Sequence, residues 1–381
     1  MATYLPEEIV VKILSRLPPK SLIRFKCVSK SWRALIGNPD FLSKNLLNHS
    51  IITQNSNDPL RLIIFFSLDP HTHGKLLHSF RSYDSLHCVS QTPVNLPTEP
   101  RFDIVASCNG LLCLWDYARN DIYLWNPATS SQLKALPASS SYGRLRVSMF
   151  HVGFGFDSVS NDYKVIRILT VEDEDETWDE VEIYSLKCGS WRQLDLGVPL
   201  GIYEDSRSAA LDGVFLWYGN DEYEEHVNDD NEIIVSFDFS NEEFRTMLFP
   251  EARFFCDYGE CTRAVKELKG SLAMLVFPSE DRKKKMYLDI WVMLEFGVRE
   301  SWTRLLSIQL PLNLERPLGF WKNGELFMEN RKRQLVLYDL LSQKETKLKF
   351  KGSWETLEVV ELRLSSVVIN GGVELGGMDN P

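Results

Sequence analysis

The feature that most restricts what this chain can fold into is an aromatic residue that returns about every fifty residues inside an alternating apolar strand. The copies are Leu124-Trp125-Asn126-Pro127-Ala128-Thr129, Ile183-Tyr184-Ser185-Leu186-Lys187, Ser236-Phe237-Asp238-Phe239, Ile290-Trp291-Val292-Met293 and Leu337-Tyr338-Asp339-Leu340. Their central aromatics stand 59, 53, 54 and 47 residues apart. Tyr184 and Phe237 are each followed seven residues later by a second aromatic, Trp191 and Phe244, whereas Trp302 follows Trp291 with four extra residues between.

A second recurring pattern precedes each copy. It appears as Cys108-Asn109-Gly110-Leu111, as Phe154-Gly155-Phe156 leading to Tyr163-Lys164-Val165, as Leu211-Asp212-Gly213-Val214, as Leu268-Lys269-Gly270-Ser271 and as Trp321-Lys322-Asn323-Gly324-Glu325. Asn-Gly and Asp-Gly between apolar runs favour two-residue hairpin turns, because both central positions take positive φ. Each period therefore supplies four strands, the content of a β-propeller blade of kelch rather than WD40 length. The spacing predicts blades at 102–137, 151–195, 208–249, 263–308 and 316–350. Two orphan stretches, Leu60–Phe66 and Leu357–Leu362, remain, and a ring must hide its open sheet edges. Residues 60–95 and 355–370 are therefore expected to share a sixth, closing blade, with 371–381 a disordered tail.

The first 48 residues differ in kind. They carry eight basic and three acidic residues, +5, which leaves −16 of the chain's net −11 on the rest. Their apolar residues fall at helical spacing: Leu5, Ile9 and Ile13 with Val10, Leu14 and Leu17, after a Pro6 suited to a helix start and before Pro18-Pro19. A second helix is expected from about Pro19 to Cys27, and Ser29 is placed to cap a third that holds Trp32, Leu35 and Ile36. Residues 49–59, polar and turn-rich, read as a linker to a large domain over 60–370. Three short helices cannot bury this much apolar surface among themselves, so the module presents a docking surface or packs on the large domain.

The residues Leu5-Pro6-Glu7-Glu8, Ile13-Leu14-Ser15-Arg16-Leu17-Pro18-Pro19-Lys20-Ser21-Leu22 and Phe25-Lys26-Cys27-Val28-Ser29-Lys30-Ser31-Trp32-Arg33-Ala34-Leu35-Ile36 resemble a plant-type F-box. Cys108-Asn109-Gly110-Leu111-Leu112-Cys113, Trp125-Asn126-Pro127-Ala128-Thr129, Gly153-Phe154-Gly155-Phe156-Asp157, and Val181–Leu186 with Ser190-Trp191-Arg192 resemble the type 1 F-box-associated domain, as found in S-locus-like F-box proteins and F-box regulators of immune receptors. The resemblance implies docking on a Skp1-type adaptor and, through it, cullin-1 and a RING subunit. By position, Leu5, Pro6, Ile9, Ile13, Leu14, Leu17, Pro18 and Leu22 would form or support the adaptor surface. Function then follows as substrate recognition in an SCF ubiquitin ligase, with self-incompatibility or immunity as the pathways of such relatives. A propeller that binds the adaptor without cullin is the alternative.

The sequence offers little for chemistry on the chain itself. Gly-x-Ser-x-Gly, His-Glu-x-x-His and phosphate-loop patterns are absent, and Gly153-Phe154-Gly155 reads as a strand rather than a dinucleotide turn. Cys108 with Cys113 and Cys256 with Cys261 are separated by 142 residues and are not read as a zinc site. No enzyme activity and no cofactor are expected. Two acidic runs stand out: Glu172, Asp173, Glu174, Asp175 and Glu176, and then Asp221, Glu222, Glu224 and Glu225. They fall within loops of consecutive blades, either as solvated turns or as a negative face that steers a basic protein partner. At −16, nucleic acid is not an expected ligand of the large domain. No apolar run approaches the ~18 residues of a membrane span, and seven cysteines without close pairing suit a reducing compartment, cytoplasmic or nuclear.

Overall fold

The computed structural model describes residues 6–14, 25–36, 41, 60–67, 76–82, 85–86, 88–93, 102–116, 118–127, 133–138, 147–172, 177–195, 201–203, 208–220, 232–249, 261–278, 286–321, 324–352, 357–363, 369 and 373–374. Two helices, α1 (Glu7–Leu14) and α2 (Lys30–Ile36), precede the strands. Helix α1 starts where Pro6 allows: the Pro6 carbonyl accepts from the Ile9 and Val10 amides. Helix α2 is capped as the sequence predicts, the Trp32 amide donating to Ser29 Oγ at 3.1 Å. Of the helix expected over Pro19–Cys27, Phe25 is helical and a turn follows it; residues 15–24 and the linker 49–59 lie outside the described residues.

The strands in chain order are β1 (Leu60–Ser67), β2 (Leu76–Ser82), β3 (Cys88–Pro93), β4 (Phe102–Cys108), β5 (Leu111–Asp116), β6 (Asp121–Trp125) and β7 (Lys134–Ala135). Next come β8 (Val147–Asp157), β9 (Asp162–Glu172), β10 (Thr177–Ser185), β11 (Ser190–Leu194), β12 (Ala209–Leu211), β13 (Val214–Asn220), β14 (Glu232–Asp238) and β15 (Glu243–Leu248). The last are β16 (Cys261–Leu268), β17 (Ser271–Pro278), β18 (Met286–Met293), β19 (Trp302–Leu310), β20 (Leu314–Phe320), β21 (Leu326–Asn330), β22 (Gln334–Asp339), β23 (Lys344–Lys351), β24 (Glu358–Arg363) and β25 (Val373–Glu374). They form six antiparallel sheets, five of four strands and one of five.

Four of these sheets run β8 to β11, β12 to β15, β16 to β19 and β20 to β23 in chain order. The closing sheet is composite: β24, from near the C-terminus, pairs with β1 and is followed by β2 and β3. The first strand of each sheet faces inward. Strand β4 meets β8, β8 meets β13, β12 meets β16, β16 meets β20, β20 meets β24 and β24 meets β4, which closes the ring. One expectation is corrected. Residues 371–381 were expected to be disordered, yet Val373 and Glu374 pair with Ala135 and Lys134 of β7. Strand β7 has only two residues and would otherwise leave its outer backbone groups open, so a short passing strand can add to it.

The aromatic repeat is explained by register. Trp125, Tyr184, Phe237, Trp291 and Tyr338 all sit on the third strand of a sheet and are buried. Tyr184 lies opposite Trp191 and Phe237 opposite Phe244, so the seven-residue interval is a cross-strand pair with ring centroids 5.2 and 4.7 Å apart. The longer turn after β18 shifts this pairing, and Trp302 stands opposite Met293 instead. The first hairpin turns have the predicted chemistry: Asn109 and Gly110 take φ of 45° and 89°, Asp212 and Gly213 47° and 82°. A close approach explains Gly155 in β8, where a Cβ would stand 2.2 Å from the Phe239 ring of the neighbouring sheet.

Apolar clusters fill the spaces between sheets, but buried ion pairs also lie at some of the seams. Between the β8–β11 and β12–β15 sheets, Lys164 Nζ donates to Asp157 Oδ2 and Glu242 Oε1, each at 2.7 Å, and to the Phe239 carbonyl at 3.1 Å. Glu242 also pairs with Arg192. Burial would raise the Asp157 pKa, but the Lys164 ammonium, the Ser160 hydroxyl and the Ser160 and Val159 amides outweigh it and hold the carboxyl far below its usual range. Burial opposes ionisation of Glu242 too, and Arg192 and Lys164 overcome it, so its pKa is lowered. A carboxylate whose pKa is depressed in the folded state stabilises the fold above its unfolded pKa of about 4 and loses that contribution as pH falls. Acid titration of Asp157→Asn is therefore expected to give a flatter loss of stability below about pH 4 than the parent chain, by on the order of 2 kcal/mol. Denaturant midpoints measured across that range check it; parallel acid limbs would contradict the assignment.

Candidate adaptor interface and loop face

Helices α1 and α2 enclose a small core. Leu14, Ile36 and Phe41 are buried in it, with Val10, Val11, Phe25, Trp32 and Leu35 packed around them. Phe25 meets Trp32 edge to face at 5.7 Å. Trp32, Leu35 and Ile36 thus face the interior of the module. Leu14 belongs with them: it supports the helix from inside and offers nothing to a partner.

The opposite side of α1 is apolar and uncovered. Ile9 is 44% exposed and Ile13 50%, one helical turn apart on the same face, and Pro6 is exposed at the head of the same row. Val28, in the turn before α2, is 59% exposed. Val28 was not among the expected adaptor residues; its signal was an apolar, β-branched side chain placed in a turn, outside any helical phase. Leu5, Leu17, Pro18 and Leu22 lie outside the described residues.

Sheet topology separates two faces of the ring. In every sheet the first-to-second and third-to-fourth strand turns lie on one face, while the second-to-third connections and the crossings to the next sheet lie on the other. Strand β1 is a second strand, and Leu60 at its start lies opposite Arg363 at the end of the innermost strand β24. The chain from the helical module therefore enters on the face of the short turns. The strand ends that bracket the acidic segments, Glu172 with Thr177 and Asn220 with Glu232, open on the other face in adjacent sheets. Asp173, Glu174, Asp175, Glu176, Asp221, Glu222, Glu224 and Glu225 are outside the described residues, as is the side chain of Glu172. Their described neighbours are already engaged. Thr170 donates to Asp179 at 2.7 Å, Trp178 Nε1 to Glu180 at 3.5 Å, and Arg263 pairs with Glu232 at 2.9 Å.

The interior carries no poised nucleophile among its described thiols. Burial raises the Cys108 pKa to about 11 and pushes Cys113 higher still, so both stay protonated at neutral pH. Burial also lowers the His151 pKa to about 4, against a weaker opposing effect of Asp179. Among the described residues no group of three or more His, Cys, Asp or Glu is placed to hold a metal ion, and no helix is long and apolar enough to cross a membrane.

Residues 3–44 match the F-box domain model, and residues 76–367 match the model of the F-box associated beta propeller domain. The chain belongs to the F-box-associated β-propeller family of F-box proteins. Its relatives include three from Arabidopsis thaliana. F-box protein At3g07870 is 30% identical over 88% of this chain and 85% of the relative, and F-box/kelch-repeat protein At3g23880 is 31% identical over 88% and 87%. F-box protein CPR1 is 30% identical over 97% of this chain and 89% of its own length. F-box domains generally bind Skp1-type adaptors, and F-box proteins are in general non-catalytic adaptor subunits. An F-box joined to a propeller is the composition of an SCF substrate-recognition subunit in general.

Proposed function

We propose that this chain recruits one protein substrate to a Skp1–cullin-1–RING ligase for ubiquitination and proteasomal degradation. The observation that carries the reading is the division of labour across the ring. An uncovered apolar row, Pro6, Ile9 and Ile13, lies on the helical module, and that module joins the propeller on the face opposite the long charged connections. In this reading Leu5, Leu17, Pro18 and Leu22 extend the row, Val28 flanks it, and Leu14 supports it. The loop face, with the acidic segments 172–176 and 221–225, holds the substrate. Held there, a substrate lysine stays near the charged E2, and transfer accelerates through raised local concentration and orientation alone.

The charge of those segments favours a basic substrate, and a basic S-RNase-like protein fits that description better than an immune receptor of unspecified charge. The test is a comparison of protein half-lives in cells with and without the chain, followed by capture of each stabilised protein on the purified full-length chain. A direct substrate is expected to be stabilised by deletion and to lose capture at about 0.5 M salt, where the screening length falls to a few ångström. Stabilised substrates whose capture ignores salt would overturn the acidic-face assignment. If no protein were stabilised while adaptor binding persisted, the chain would be an assembly protein instead.

A further inference from the structure

We propose that the C-terminal segment of this chain is a detachable clasp, which locks the closing strand β24 by gripping the neighbouring sheet on both faces and along its outer edge. Three described anchors carry the inference. Leu362, near the end of β24, is fully buried in a cluster with Leu112, Leu114, Tyr123 and Trp125. Ile369 is only 8% exposed and belongs to a different cluster, with Leu111, Cys113, Ile122 and Leu124. Side chains alternate along a strand, so β5 and β6 send these two sets to opposite faces of one sheet. Val373 and Glu374 then pair with Ala135 and Lys134 of β7, at the outer edge of that sheet.

The chain therefore crosses the sheet between Leu362 and Ile369. Those seven steps span up to roughly 25 Å when extended, and packed sheets stand about 10 Å apart, so the crossing is well within reach. Strand β7 itself is held inward by pairing with Tyr123 and Leu124, and the Leu136 amide donates to the Ile122 carbonyl at 2.8 Å. Its outer side is the edge that the tail covers.

The edge contact is the weak one. Two residue pairs join β25 to β7, against six that join β24 to β1. Short, peripheral pairing of this kind opens before the rest of a fold. It closes again readily, because attachment to β24 keeps the tail at high effective concentration beside its groove. Release has two linked consequences. The β7 edge becomes an acceptor for an added strand, and β24 loses its hold at the Arg363 end, where β1 is its remaining partner strand among the described residues. A competing extended segment would need the spacing of the tail itself, an aliphatic residue four positions before a Val-Glu pair. The anchors share no residue with the helical row or the charged connections, so the clasp does not depend on the function proposed above.

Hydrogen exchange of the full-length parent chain and of Ile369→Asp tests the coupling. Exchange is expected to rise about tenfold or more in both β7 and β24 of the variant, while β14 and β18 keep parent rates and so report an intact fold. Ile369→Ala, a milder loss of the same anchor, should show the same order of release. A fluorescein-labelled peptide covering Leu364–Met378 is then titrated by anisotropy. It is expected to bind the Ile369→Asp chain saturably and the parent at least about tenfold more weakly, since the parent's own tail holds the edge. The peptide carrying Ile369→Asp should not bind. Three results would overturn the proposal: release confined to the tail with β24 unchanged, equal binding of the peptide to parent and variant, or a parent chain that light scattering shows to be a dimer with exchanged tails.

Discussion

Replacing Arg316 by alanine is expected to destabilise the propeller by about 3–5 kcal/mol, the usual cost of removing one partner of a buried ion pair. Arg316, on β20, donates to Glu329 Oε2 at 2.9 Å, to Glu358 Oε1 at 3.1 Å and to the Leu357 carbonyl at 2.8 Å. Glu329 is completely buried, and without Arg316 its remaining partner among the described residues is Arg333 at 3.3 Å. The location raises the stakes. Leu357 and Glu358 begin the closing strand, so these bonds tie the last chain-continuous sheet to the one in which β24 joins β1, β2 and β3. Opening should therefore start there, and Arg316→Ala should also expose β24 to proteases before the other sheets. Denaturant melts and limited proteolysis check both. The paired change Arg316→Met with Glu329→Leu should recover much of the loss, because it leaves no buried charge unmatched. A single change worth less than about 1 kcal/mol would show that the seam is held by its apolar contacts alone.

What could be read from the sequence was whatever is written locally. The third-strand aromatics, the Asn109-Gly110 and Asp212-Gly213 turns and the Ser29 cap each follow from a few neighbouring residues, and each holds in the structure. The pairing of residues near 60 with residues near 360 was also accessible, because two unmatched strands in a repeat need one another. Strand ends were less so: β8 begins at Val147 rather than 151, where alternation fades into a polar stretch.

The buried ion pairs could not be read at all. Lys164 and Arg316 occupy strand positions that look solvent-facing, and their burial arises only when the next sheet packs over them. Glu242, the partner of Lys164, is 78 residues away. The tail strand was missed for a related reason, since Val373-Glu374 has no strand pattern of its own and gains one from the open edge of β7. For the candidate site, helical spacing found Ile9 and Ile13 but could not tell outward residues from inward ones. Leu14 shares their periodicity and is buried, whereas off-phase Val28 is exposed.

The second large effect concerns that surface. Ile9 and Ile13 each leave about half their side chain in water, at a cost of about 25 cal/mol for every square ångström of apolar area that a partner could cover. Two isoleucines buried at the centre of an interface contribute roughly 3–6 kcal/mol, and an aspartate in either place brings an unpaired charge into the contact. The double change Ile9→Asp and Ile13→Asp is thus expected to weaken adaptor binding by at least about a hundredfold. The fold should be unaffected, because neither side chain belongs to the Leu14–Ile36–Phe41 core.

The measurement that tests the account most directly is size-exclusion chromatography of the full-length chain co-expressed with a Skp1-type adaptor, beside this double variant and a Lys347→Glu control. The account predicts that the parent chain and the control co-elute with the adaptor, that the double variant elutes alone and folded, and that adding cullin-1 shifts only the first two. Co-elution of the double variant at parent levels, or failure of a folded parent chain to hold the adaptor, would contradict it.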